Sequence, residues 1–293
     1  MAPPRTPQRV SFDPGSDGEP ATATAGGTCT YEELAAVTLA HGYVPAVVPH
    51  LRATTLGEAV GGLGLGPSSF RNGLARESVL GDTALLRVEL ERVRGFVALR
   101  TVRFVSPVGF AAAVALVSAE RAWDGETVDF VDGAVFSRQE SYLVLGSRSD
   151  DVPAVSDYTG RAAYHSSLRE RGRDALTVPD YLWRWDTASR RRIGVQRLRG
   201  RPAPEQVERD VVVPVEEAAG FLERFLDHDG PVPATPLRVC PLRLRDRDGP
   251  PGAPSGPPAD GGTPWEPFAV EAGRTYVGIG VRETVPIRPG TRR

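Results

Sequence analysis

Thr54-Thr55-Leu56-Gly57-Glu58-Ala59-Val60-Gly61-Gly62-Leu63-Gly64-Leu65-Gly66-Pro67-Ser68-Ser69-Phe70-Arg71-Asn72-Gly73 gathers six glycines and four hydroxyl side chains in twenty residues. Glycine has no Cβ, so backbone N–H groups can close on an anion, and Ser or Thr hydroxyls add donors to the same oxygens. The composition therefore suits a phosphate cradle. It is not the dinucleotide fingerprint of a doubly wound sheet, because the glycines do not sit in a tight strand-to-helix turn. Glycines that merely let backbones pack closely are the competing reading.

Outward from this stretch, regular structure is expected on both sides. Thr30 followed by Glu33 fits a capping box, and Leu34, Val37 and Leu39 supply the apolar stripe of a helix ending near His41-Gly42, with a short strand over Tyr43 to Val48. Residues 1–29 mix Pro, Gly, Ser and charge without a period and read as a flexible leader. On the other side, Leu86, Val88 and Leu90 alternate with Arg87, Glu89 and Glu91, the period of a strand with one face in water. Arg94-Gly95 makes a turn into a strand over Phe96 to Val105. Gly109 to Glu120 has the Ala, Val and Leu content of a buried helix, and strands follow at Val128 to Val131 and Ser141 to Leu145. Val215 to Asp227 is an amphipathic helix opened by Pro214, and Leu237 to Leu244 and Thr275 to Ile287 are strands. Residues 249–263, rich in Pro and Gly, read as a disordered surface loop. The β-β-α-β-β order gives an α+β class with an antiparallel sheet.

Composition narrows the functional classes. The chain has 293 residues, 40% of them hydrophobic, enough for a large core. Lys and Arg total 35 against 37 Asp and Glu, a net charge of −2, so overall charge argues for no nucleic-acid or membrane-surface partner. Every basic residue is Arg. The absence of Lys excludes a Walker-type phosphate lysine and a Schiff-base lysine. Cys29 and Cys240 are too far apart for a metal motif or disulfide framework, and no metal site is expected. With no signal-peptide core near the start and no transmembrane segment (the most apolar run, Phe110 to Val117, is too short to span a bilayer), a cytoplasmic location is expected.

The order and spacing from Thr54 to Gly73 resemble the T-(L/I)-G-G-A-x-x-G-x-G-(I/L)-x-S-(S/T)-S-F-R-x-G motif of FAD-dependent oxidoreductases of the vanillyl-alcohol oxidase type, the family with a PCMH-type FAD-binding domain. The bacterial branch similar to delta-24-sterol reductase is the nearest in pattern. Later blocks carry the same resemblance: Ser156-Asp157-Tyr158-Thr159-Gly160, Asp180-Tyr181-Leu182-Trp183-Arg184-Trp185-Asp186, Cys240-Pro241-Leu242-Arg243-Leu244 and Gly273-Arg274-Thr275-Tyr276-Val277. The resemblance implies FAD as cofactor, a small apolar and sterol-like substrate, and hydride transfer. By position it implies FAD contacts from Thr55, Gly57, Gly61, Gly64, Ser68, Ser69, Asn72 and Gly73. It also implies a partial FAD-binding domain over residues 30–93, an α+β cap or substrate domain over 94–248, and a C-terminal strand region over 264–293. The chain departs from the motif at Glu58, where the family has a small residue, and at Pro67, which removes a backbone donor. The family's first phosphate-binding subdomain has no counterpart in the pattern upstream. A remnant of the family that binds partners without catalysing a reaction is the alternative.

Other groups give weaker signals. Arg184, Arg190, Arg191, Arg192, Arg197, Arg199 and Arg201 form a basic run expected to be solvated, since no nucleic-acid motif accompanies it. Trp183 and Trp185 suit an extended segment that buries both rings. His41, His50, His165 and His228 lack metal or triad spacing. Tyr158, Tyr164 and Glu77 are candidates to line a substrate pocket, and the residues mark no catalytic acid or base.

Overall fold

The computed structural model describes residues 10–16, 18–80, 85–158, 164–186, 205–227, 235–245 and 270–285. Its contacts divide the chain into two units, Met1–Arg94 with Leu242–Arg274, and Gly95–Pro241 with Thr275–Arg293.

In the first unit the strands are β1 (Ser11–Asp13), β2 (Thr22–Gly26), β3 (Tyr43–Pro45), β4 (Val79–Leu80) and β5 (Leu85–Arg92). They form a sheet in the order β1-β2-β5-β3, with β4 also on β5, and the pairs are antiparallel. The helices are α1 (Tyr31–Leu39), α2 (Leu56–Gly61) and α3 (Ser69–Asn72), followed by a 3-10 turn over Ala75–Ser78. Residues 11–13 and 22–26 correct the expectation of a flexible leader. Along Thr22-Ala23-Thr24-Ala25 small side chains alternate, and β5 supplies the partner that lets Ala23 and Ala25 bury completely. Composition cannot show this, because Ala and Thr carry no strong pattern until a neighbouring strand covers them.

Helix α1 begins as the sequence requires. Thr30 Oγ1 accepts from the Glu33 N–H at 3.2 Å, and Glu33 Oε2 accepts from the Thr30 N–H at 2.8 Å. Tyr31, Leu34, Ala35 and Thr38 then form its buried face. Strand β5 keeps its alternation only in part, because Glu89 is buried together with Val88 and Leu90.

The second unit is built on a seven-stranded sheet, β11-β6-β10-β9-β13-β14-β12, from β6 (Phe96–Phe104), β9 (Phe130–Ser137), β10 (Glu140–Ser149), β11 (Arg173–Thr177), β12 (Glu205–Pro214), β13 (Leu237–Arg243) and β14 (Thr275–Val285). Its registered pairs are antiparallel. A small ribbon, β7 (Ala122–Trp123) with β8 (Glu126–Thr127), turns the chain between helix and sheet. Helix α4 (Pro107–Glu120) packs on β10, β6 and the later helix α6 (Val215–Asp227), while α5 (Val178–Trp183) packs on β11 and β6. Phe110, Val114, Val117, Leu143, Leu176 and Leu222 make its dry centre.

Three expectations change here. Helix α4 is buried on one side only, with Val108 and Leu116 exposed, because a helix with no charged residue before Glu120 gives little signal of which side faces water. Trp183 ends a helix rather than lying in an extended segment. Thr177 caps that helix by accepting from the Asp180 N–H at 3.3 Å, and Pro179 suits its first turn, so the chain is helical where the Trp pattern suggested a strand. Arg184 is not solvated: its side chain is 1% exposed. Arg190 to Arg201 and the loop at 249–263 lie outside the described residues.

Candidate cofactor turn

The glycine-rich stretch forms α2, an open turn over residues 62–68, and α3. Thr55 caps α2 in a second capping box. Its Oγ1 accepts from the Glu58 N–H at 3.2 Å, and both its N–H (2.8 Å) and its O–H (2.9 Å) donate to Glu58 Oε2. The Glu58 carboxylate therefore sits where an anion at this first turn would sit, and it engages the donors that Thr55 carries. Gly57 donates its N–H to Gly27 O at 2.7 Å, and Gly61, at the end of α2, is exposed with open space around it.

The turn itself needs glycine for two reasons. Gly64 has φ +49, and a Cβ there would lie 2.5 Å from Ala59 O. Gly66 passes so close to Val48 O that no side chain fits. Between and before these glycines, the N–H groups of Leu63, Gly64 and Leu65 donate to no described residue. The Ser68 and Phe70 N–H groups likewise donate to no described residue.

Helix α3 is clamped from below. Ser68 Oγ donates to Ala46 O at 2.7 Å, Asn72 Nδ2 donates to the same oxygen at 2.7 Å and to Glu91 Oε1 at 2.9 Å, and Ser69 Oγ accepts from Gly66 N–H at 3.0 Å. Gly73, with φ +73, donates to Ser69 O at 3.0 Å. Arg71 makes a two-pronged contact with Glu91, at 2.5 and 2.7 Å. The eight positions that the motif implies thus fall on α2, the turn and α3 or, for Thr55 and Gly73, on the residues that cap them, but Thr55, Ser68 and Asn72 direct their donors to the protein.

Arg245 closes the same region. It donates from its backbone to Glu77 Oε1 at 2.9 Å, from Nε to Asn72 O at 3.0 Å, and from Nη1 to Glu89 Oε2 at 2.6 Å. Glu77 also accepts from Leu74 N–H at 2.7 Å. Burial pushes the Glu77 carboxyl up, and the bonds from Leu74 and Arg245 pull the other way. The sequence reading missed Arg245, Glu89 and Glu91. The signal available was the acidic face of β5, which strand alternation had sent to solvent.

These residues meet the requirements of a dinucleotide diphosphate in one respect. The cradle is a run of amides on a glycine turn, and the nearby Arg71 and Arg245 are committed to Glu91 and Glu89. The second unit holds a different polar centre. Arg184 pairs with Asp132, lies 3.8 Å over the Tyr181 ring, and Trp185 Nε1 donates to the same Asp132 Oδ2 at 2.8 Å. Burial pushes Asp132 up, against the pull of the Arg184 charge. Tyr158, bonded to Asp174, and Tyr164, edge-on to Trp185, are buried beside it, so these two pocket candidates come together, while Glu77 belongs to the first unit. Among the described residues no cluster of His, Cys, Asp and Glu could hold a metal ion, and no helix is long and apolar enough to cross a membrane.

No family model and no curated protein matches the chain. Solved structures do. The chain superposes on a cholesterol oxidase from B. sterolicum with a TM-score of 0.60 at 11% identity, covering 97% of this chain and 66% of that one. A single-site mutant of cholesterol oxidase from Brevibacterium sterolicum gives a TM-score of 0.59 at 11% identity, with 97% and 67% covered. The chain spans about two-thirds of the length of these structures. Its fold, a mixed α/β arrangement with antiparallel sheets, is the cholesterol oxidase fold.

Proposed function

We propose that the chain binds FAD, with the diphosphate on the open amides of Leu63, Gly64 and Leu65, and that it is an oxidoreductase acting on a small apolar substrate. The observation that carries this reading is that amide run, held on a left-handed glycine within a stretch whose order resembles an FAD motif. FAD supplies a hydride acceptor or donor at its flavin ring. The protein's part would be to orient that ring and exclude water. The fold shared with cholesterol oxidases supports a sterol-like substrate, and the resemblance to the delta-24-sterol reductase branch is the finer form of the same reading. On this reading residues 30–93 contribute to the FAD domain and 94–248 to the cap. The two free, buried cysteines support a reducing cytoplasm.

A second reading is favoured by a specific observation. Glu58 takes both donors of Thr55, and Ser68 and Asn72 point theirs at Ala46, which suits a chain that has kept the fold as a binding module without flavin. Purification and FAD titration separate the two. The first predicts flavin absorbance, or a rise in Tm on adding FAD, as expected for any ligand that binds only the folded state. A colourless protein whose Tm ignores saturating FAD leaves only the second.

A further inference from the structure

Strand β9 turns Gly133 toward α4, where a Cβ would lie 2.9 Å from the Phe110 ring, so Asp132 beside it projects from the other face of the sheet. The Asp132 side chain is fully buried there. Its Oδ2 takes two donors, Arg184 Nη2 and Trp185 Nε1. Its Oδ1 takes none among the described residues. The sheet supplies no donor, because Phe130 and Ala134 are its neighbours along the same face of β9, Val144 lies opposite on β10, and all three side chains are apolar. The Cys240 thiol, pushed up by burial and then by the Asp132 charge, is near but gives Oδ1 no bond.

An ionised carboxylate accepts at both oxygens and donates from neither. Burial favours a proton on Asp132, but a proton would weaken the pair and leave the Arg184 guanidinium as a buried charge. An undonated oxygen on a buried ion costs more than ordering one small molecule beside it, and buried polar groups in folded proteins have partners as a rule. The chemistry of that partner is narrow. A metal ion or an ammonium group would lie next to Arg184, like charge against like charge, and an anion would meet the carboxylate. An apolar group supplies no donor. A small neutral donor remains, and the O–H of water or of an alcohol is the smallest.

We propose that Asp132 Oδ1 is the acceptor of a subsite for one O–H group, from water or from a small alcohol. The site selects by hydrogen-bond polarity: a carboxylate oxygen takes a donor, so an alcohol is accepted there and the matching ketone, which carries only an acceptor, is refused. A crystal structure of the full chain reads the occupant directly. The expected result is density for one oxygen at about 2.6–3.0 Å from Oδ1. Tm of the full chain in cyclohexanol and in cyclohexanone then separates the two sources. A rise in cyclohexanol that cyclohexanone does not give makes the source an alcohol; no rise in either, with the oxygen present in the crystal, makes it water. Asp132→Asn tests the polarity. Its amide oxygen must face Arg184 and Trp185, both donors, so its NH2 takes the place of Oδ1 and the order of the two solutes should reverse where alcohol is the source. No oxygen within about 3.5 Å of Oδ1, or a protein donor such as Cys240 Sγ closed onto it, overturns the proposal. So does a Tm rise in cyclohexanone equal to that in cyclohexanol. The outcome is independent of whether FAD binds.

Discussion

Arg245 and Arg184 each anchor one of the two units, and they do so in opposite ways. Arg245 keeps 24% of its side chain exposed and spreads its donors over Glu89, Glu77, Ser78 and the Asn72 carbonyl. Arg184 is 1% exposed, pairs with Asp132 and donates to Tyr181 O at 2.7 Å, with the Tyr181 ring beneath it. A guanidinium at the margin can share acceptors at small desolvation cost, while losing one in the interior leaves its carboxylate partner as a buried charge. The first arrangement positions a turn. The second fixes a core.

The sharpest way to break this contrast is Arg184→Met. It strands the Asp132 carboxylate and should cost about 3–5 kcal/mol in urea unfolding, with Asp132→Asn added on top recovering more than half, since Asn still accepts from Trp185. If the double variant is no more stable than the single one, the loss is one of packing, not of charge. Arg245→Met should cost less, about 1.5–3 kcal/mol for bonds to charged groups that water can partly replace, and hydrogen exchange should rise at Leu74 and Glu77 while β9 and β10 stay protected.

The pH dependence is a finer probe. The Glu77 carboxyl is raised in the fold, so the native state holds its proton more tightly than the unfolded chain. Its contribution is therefore largest below the unfolded value near 4.5 and declines as pH rises from there through the folded value. Glu77→Gln should flatten the stability profile in that window, and an unchanged profile would remove Glu77 as its source. The smallest stability effect belongs to Glu58→Ala. It keeps the bond from the residue 58 N–H to Thr55 and loses only the carboxylate, costing roughly 0.3–1 kcal/mol. Under the FAD reading it frees Thr55 and removes a negative charge, so FAD affinity measured by fluorescence should rise. An unaltered affinity would show that Glu58 does not compete with the cofactor.

Local chemistry was readable wherever a few neighbouring residues decide it. The capping box at Thr30 and Glu33, the amphipathic helix from Val215 and the two long strands on either side of Arg94 all follow from spacing, and they form within a residue or two of the expected bounds. The same box at Thr55 and Glu58 was hidden by its setting. Read as part of an anion cradle, Glu58 is a misfit; read as the third residue after a Thr, it is an ordinary capping acid. The leader strand β2, the buried Glu89 and the buried Arg184 were not readable, because each depends on a partner far away in the chain: β5, Arg245 and Asp132.

By itself, then, the sequence determined the helices and strands with a clear period, the glycine turn, and a resemblance specific enough to suggest a cofactor. Periodicity and capping are short-range, so they survive without a neighbour. Tertiary structure alone decided which charges are buried, which face of α4 is bare, and that the motif's side-chain donors turn to Ala46 and Glu58 while the amides of Leu63 to Leu65 stay open. A hydrogen-bond donor has many acceptors within reach, and only the folded chain selects one.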